Sequence, residues 1–291
     1  SSRSSSVGSD TGAEHVKPRH TYAAATPEIM CLSRSTAGSD AAAATSAGSA
    51  SGPISPLAWA STRRCFQGFR GFRQTEKWDF DLFWVQPVIP DVAKLDSVDN
   101  NQNFAGAWFT YRPKKGQNLD LYYLLRDNTN ATAALGIPTG GYTRHTLGGR
   151  YVGAEDQLLF DFEAAIQLGS PNARNVVAGM ATGGLGYNLK DAPWSPTLWA
   201  YYDFASGGGP TRGTANTFNQ SFAFGHYYLG WADQVGRQNI HDLNVHLYAY
   251  PAKWLTTWVQ FHSYWLADRG DALGKSPGAP NRGGPTGASG S

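Results

Sequence analysis

Charge is scarce in this chain: Asp, Glu, Lys and Arg make up 16% of 291 residues, and the formal net charge is only +2. So even a balance gives no global attraction to nucleic acid, and a nucleic-acid partner is not expected. Cysteine is scarcer still, with Cys31 and Cys65 far apart and no CxxC spacing, which supports neither a zinc site nor a disulfide framework. Long hydrophobic runs are also missing. A spanning helix needs roughly 18 or more apolar residues in succession, and runs such as Val176 to Ala178 fall far short. A helical membrane protein is therefore excluded. The chain begins without Met and shows no charged segment followed by an apolar one, so no secretion signal is visible.

Aromatics and glycine are abundant: 34 Gly, 10 Trp, 14 Tyr and 14 Phe, against two Met. Aromatic side chains suit a pleated surface and glycine serves turns and bends, so the composition points to an all-β protein. A mean hydropathy of −0.39 is compatible with membrane insertion by strands, because a spanning strand of about 10 residues is apolar only at every second position.

Residues 1–65 are Ser, Ala, Gly and Thr with scattered charges and no period that could bury a face, and are read as a disordered or foreign leader. The tail 275–291 has the same character. Between them, from about 76 to 268, aromatic-rich segments follow one another. The clearest is Leu158 to Leu168, where Leu158, Phe160, Phe162, Ala164, Ile166 and Leu168 alternate with Leu159, Asp161, Glu163, Ala165 and Gln167. Leu119 to Arg126 and Asp242 to Ala249 alternate in the same way. Trp78 to Gln86, Thr143 to Val152 and Trp254 to Trp265 follow with less regularity, Phe104 to Arg112 and Thr197 to Ala205 complete the convincing set, and the Gly-rich Asn175 to Tyr187 is a ninth candidate with poor alternation.

Connections alternate in length: long at 87–102, short at 113–117, long at 127–142, short at 153–157, medium at 169–174, shorter at 188–196, very long at 207–238 and tight at 251–253. An up-and-down antiparallel meander with one smooth and one elaborate rim has this pattern, the pattern of a transmembrane β-barrel. Trp78, Trp84, Tyr111, Tyr151, Tyr187, Trp254 and Trp265 lie near strand ends, where rings would sit at a lipid interface. The competing architecture is a β-sandwich with aromatics in its core, but strands of about 10 residues are long for one.

Three stretches carry a resemblance: Arg144-His145-Thr146-Leu147-Gly148-Gly149-Arg150-Tyr151, Trp199-Ala200-Tyr201-Tyr202-Asp203-Phe204-Ala205-Ser206-Gly207, and Phe218-Asn219 through Gly225-His226-Tyr227-Tyr228-Leu229-Gly230 to Asp233. They resemble the alginate-export family of outer-membrane porins, over about 76–268. The resemblance implies a monomeric barrel of about 18 strands in the bacterial outer membrane, with a polar, positively charged lumen that passes an anionic polysaccharide and export partners in the periplasm. About nine strands are visible here, so the chain reads as a partial barrel, a fragment of a longer product or one with ends foreign to the native barrel.

On the strand alternation, Arg112, Arg126, Arg144, Arg150, Asp161, Glu163, Asp203, Asn244, His246, Gln260 and His262 face the lumen. Arg112, Arg126, Arg144 and Arg150 are the candidates for an arginine ring, because guanidinium groups hold carboxylates bidentately and stay charged. The plainer reading is that they neutralise Asp161, Glu163 and other lumen acids, and the two readings are compatible. Asp161 and Glu163 invite a glycosidase reading, their Cβ atoms lying roughly 7 Å apart along one face. No second motif supports it, and they are read as lumen acids. His241 and His246 face opposite sides of a strand and share no metal; His246 and His262 remain as a pair, read as polar lumen residues. Gly183-Gly184-Leu185-Gly186 has no following helix, so it is no nucleotide loop. No catalytic residue, metal or cofactor is expected. Loop 207–238 holds Phe218, Phe222, Phe224, His226, Tyr227 and Tyr228, and is expected either to gate one mouth or stack sugar rings, or to pack as an ordinary rim loop. The reading is a passive porin for an anionic, alginate-like polysaccharide. The alternatives are a secreted carbohydrate-binding or carbohydrate-active β-sandwich and a non-functional truncated barrel. Porin and sandwich are told apart by whether the apolar face of each strand is buried or turned outward.

Overall fold

The computed structural model describes residues 28–30, 65–91, 93–131, 141–171, 175–208, 216–222, 228–230, 232–275 and 280–282. Fourteen strands follow in chain order. These are β1 (Glu28–Met30), β2 (Phe66–Gln74), β3 (Trp78–Ile89), β4 (Ser97–Val98), β5 (Gln102–Tyr111), β6 (Gln117–Asn128) and β7 (Tyr142–Glu155). Then come β8 (Leu158–Pro171), β9 (Val176–Asn188), β10 (Thr197–Ala205), β11 (Ile240–Ala252), β12 (Leu255–Trp265), β13 (Leu273–Gly274) and β14 (Pro280–Arg282). One antiparallel sheet runs β1-β2-β3-β5-β6-β7-β8-β9-β10-β11-β12, with β4 beside β3, and β13 and β14 form a separate pair. Apart from that short β4, every step of the long sheet joins consecutive strands, so it is an up-and-down meander. Among the described residues it does not close on itself.

All nine strands read from the sequence are present, most of them longer than expected. The structure adds β2, whose sequence FQGFRGFRQ shows no period-two alternation, paired along its whole length with β3. It also places Glu28–Met30, inside the expected leader, as a strand against Phe66–Gly68. The remainder of residues 1–64 and residues 283–291 lie outside the described residues.

Two rims differ as the loop lengths predict. Connections 75–77, 112–116, 156–157, 189–196 and 253–254 gather at one end; 90–101, 129–141, 172–175 and 206–239 gather at the other.

The faces are inverted relative to a soluble protein. On β8, Leu158, Phe162, Ile166 and Leu168 are about half exposed, while Asp161, Glu163 and Gln167 are buried. On β11, Leu243, Val245 and Leu247 are exposed, while Asp242, Asn244 and His246 are buried. Leu121, Leu147, Val177, Leu185, Leu198, Val259 and Phe261 extend the outward apolar band over further strands. Exposing so much apolar surface to water would cost about 25 cal/mol per Å², so the band requires lipid against it. A sandwich places the opposite face inside, and that alternative is set aside. Trp84, Tyr111, Tyr187, Trp254 and Trp265 are exposed as expected of interface aromatics; Tyr151 is half-buried and donates from its hydroxyl to Gln117 Oε1 at 2.7 Å.

Candidate functional site

Direct register partners trace one inward row across nine strands: Asp79, Thr110, Asp120, Arg150, Glu163, Thr182, Asp203, Asp242 and Tyr264. Period two places each of these on the same face, so a row of polar side chains follows from the pairing alone. Five of its nine members are acids, and the wall is consequently of mixed sign.

Most inward arginines pair with acids of this row or of the same face beside it. Arg112 forks onto Asp79 at 3.1 and 2.5 Å. Arg150 forks onto Asp161 at 2.7 and 2.6 Å, both side chains nearly inaccessible. On β2, Arg70 pairs with Asp81. Glu163 accepts from the Tyr122 hydroxyl at 2.8 Å, so Asp161 and Glu163 are held by different partners. Asp203 accepts from Thr182 at 2.6 Å and from Asn244 at 3.2 Å.

A further cation completes the network. Arg237, near the end of loop 206–239, reaches Asp203 at 2.9 Å and lies 4.0 Å from Glu163. Its backbone N–H donates to Gln220 Oε1 at 2.8 Å, and its guanidinium lies 5.8 Å from the Tyr228 ring. Burial would lower the pKa of this guanidinium, but Asp203 and Glu163 hold it above its ordinary value. Burial pushes the Tyr228 hydroxyl well above its ordinary range, so it stays protonated. Sequence reasoning passed over Arg237. The signal was there, a single Arg beside Asn239 at the point where the loop re-enters the sheet.

Arg126 and Arg144 differ from the rest. They are direct cross-strand partners on β6 and β7, and among the described residues neither meets a carboxylate. Arg126 donates to Gln102 Oε1 at 3.1 and 2.7 Å and lies 4.3 Å from the Phe222 ring. Arg144 reaches Gln167 Oε1 at 3.5 Å and Thr217 O at 3.4 Å, and its buried Nε has no partner. Two guanidiniums side by side, one with an unused N–H, put like charge and a spare donor together on the inward face.

The long loop folds onto the inward face. Phe222 sits edge-on to Phe66 and Phe104, with ring centroids 5.0 and 5.1 Å away. Phe218 is buried in the same cluster as Phe83, Val85 and Ile240. Gln167 clamps the loop backbone, accepting from Asn219 N–H at 2.9 Å and donating to Asn219 O at 2.7 Å. Tyr264 donates to Leu229 O at 3.0 Å. Phe224, His226 and Tyr227 lie outside the described residues. His246 and His262 sit with ring centroids 5.6 Å apart, and His262 Nδ1 is 2.8 Å from Asp242 Oδ2. Among the described residues no three His, Cys, Asp or Glu side chains are arranged to hold a metal.

Outward apolar band, inward polar row and unequal rims define an outer-membrane β-barrel protein of the porin class. The alginate export family matches residues 48–291, more than four-fifths of the sequence, and the chain belongs to that family. The match begins inside the expected leader and runs through the expected tail. Among solved structures the chain is similar to Pseudomonas aeruginosa OccK11 (OpdR), at 14% identity, over 77% of this chain and 60% of that one, with a TM-score of 0.49. No curated protein matches it.

Proposed function

We propose that this chain lines a channel that lets an anionic, alginate-like polysaccharide diffuse passively across the bacterial outer membrane. The observation that carries this reading is the Arg126–Arg144 pair, directly opposed across two strands, free of carboxylates and lying at the long-loop end. Like charges so placed repel one another, and a passing carboxylate relieves that repulsion while accepting the unused N–H. The other inward arginines are already matched to wall acids and set the polarity of the path without adding net positive field. The described parts of loop 206–239 are anchored on the inward face by Phe222 and by Arg237, and movement of that loop opens the path. The barrel works as a monomer in outer-membrane lipid, receives polysaccharide from periplasmic export partners, and performs no catalysis.

The test is reconstitution of the full chain in a planar bilayer, with single-channel conductance recorded with and without a uronate oligomer. Discrete steps blocked by the oligomer are expected, and Arg126→Gln with Arg144→Gln should weaken the block about tenfold, the equivalent of one charge-assisted hydrogen bond. Absence of insertion and conductance contradicts the reading and leaves a barrel fragment without transport.

A further inference from the structure

The wall of β10–β12 carries a different chemistry from the arginine pair. Five rings run in contact along it. Trp199 stacks on Tyr201 at 5.1 Å and 18°, and Tyr201 lies 5.4 Å from His246. His246 lies 5.6 Å from His262, and His262 stacks on Tyr264 at 5.3 Å and 8°. The chain of rings rises from the short-turn end to the underside of the long loop, where Tyr264 holds Leu229.

Glycines on β9 set how two of these rings lie. Gly186 faces Trp199 and Gly184 faces Tyr201 across the pairing. A Cβ on Gly186 would fall 2.5 Å from a Trp199 ring carbon, and one on Gly184 would fall 2.2 Å from a Tyr201 ring carbon. Only with no side chain there can the rings lie back over the neighbouring strand. Tyr201, His262 and Tyr264 are half-buried.

Polar atoms without partners lie beside the rings. His246 Nε2, His262 Nε2, Asn244 Oδ1 and Asp242 Oδ1 are buried and make no hydrogen bond among the described residues. Asp242 Oδ2 holds the His262 ring through Nδ1 at 2.8 Å, and Asn244 Nδ2 donates to that same oxygen at 2.8 Å. The free atoms are mostly acceptors, and no arginine belongs to the ring chain. Their complement is a ligand rich in hydroxyl donors with an apolar C–H face, which is the description of a sugar ring.

We infer that the inward wall of β10–β12 is a saccharide track that reads the uncharged faces and hydroxyls of a sugar, separate from the arginine pair that reads its carboxylate. This rests on the channel reading above. The upper end of the track lies beneath Leu229, whose carbonyl Tyr264 holds.

The experiment is isothermal titration of the folded full chain in detergent micelles with two probes. One is a uronate oligomer; the other is the neutral hexose oligomer of the same linkage, with hydroxymethyl groups in place of carboxylates. Wild type should bind both. Tyr201→Leu should weaken the neutral oligomer about tenfold, the worth of one aromatic stacking contact, and His262→Phe, which keeps a ring and removes Nε2, should weaken it less. Arg126→Gln with Arg144→Gln should leave the neutral oligomer unchanged and weaken only the uronate. Should Tyr201→Leu fail to fold, Gly184→Ala tests the same contact by pushing the Tyr201 ring off the wall. Binding of the uronate alone, or neutral affinity unmoved by these wall variants, overturns the track and leaves the channel reading standing. Binding of neither probe overturns both.

Discussion

The two faces of β8 carry opposite chemistries one residue apart. Phe162 is 45% exposed, whereas Asp161 is 6% exposed and forked by Arg150. In water this is the wrong way round: the apolar side chain should be inside and the carboxylate outside. With lipid as the outer solvent and a polar path as the inner one, each side chain meets what it needs. The comparison teaches that period two alone does not say which face is buried. The charged side chains decide it, by finding partners across the sheet.

The comparison can be broken from either side. The largest effect is expected inside. Asp161→Leu removes the carboxylate that forks the buried Arg150 guanidinium and should cost about 3–5 kcal/mol of folding stability, measured by urea titration of the chain in lipid vesicles. A smaller loss is expected outside, where Phe162→Arg puts a cation into the lipid band and should cost about 2–4 kcal/mol in the same titration. If Phe162→Arg were neutral, the outward face would be in water. The smallest effect belongs to Lys114 and Glu155, an exposed pair at the short-turn rim, 3.1 Å apart. Lys114→Ala should change stability by less than about 1 kcal/mol, because solvent screens that pair. A large loss there would mean that this rim is not in contact with water.

Much of the fold was legible because Leu158 to Leu168 and Asp242 to Ala249 alternate cleanly, and because turn lengths alternate along the chain. Two strands were hard to read for physical reasons. β2 sets three Phe among Gly, Arg and Gln with no period-two order, and its long aligned pairing with β3 is what defines it. β9 looks irregular because its inward face is filled from next door: Gly184 and Gly186 are small so that Tyr201 and Trp199 can lie over them. Glu28–Met30 was hidden because three residues inside a Ser/Ala/Gly stretch show no period.

The candidate site was legible as a set of residues and not as a set of pairs. Alternation put Arg112, Arg126, Arg144 and Arg150 on one face. Register then separated them, giving Arg112 and Arg150 a carboxylate each and setting Arg126 against Arg144. The role of Arg237 depends on a loop returning to Asp203, a contact between residues far apart in the chain that no local pattern encodes. The same is true of Phe222, aromatic and loop-borne in the sequence but seated between Phe66 and Phe104 in the fold.

The central claim is that the apolar face meets lipid and the polar face meets an aqueous path. It is tested most directly by single fluorescent labels at Leu185, exposed on the outward face of β9, and at Thr182, on the inward face of the same strand, with both native cysteines replaced. The reconstituted chain should show the label at 185 quenched by nitroxide lipids and shielded from aqueous iodide, and the label at 182 responding in the opposite sense. Equal quenching of both labels by iodide, with no response to nitroxide lipids, would contradict the account.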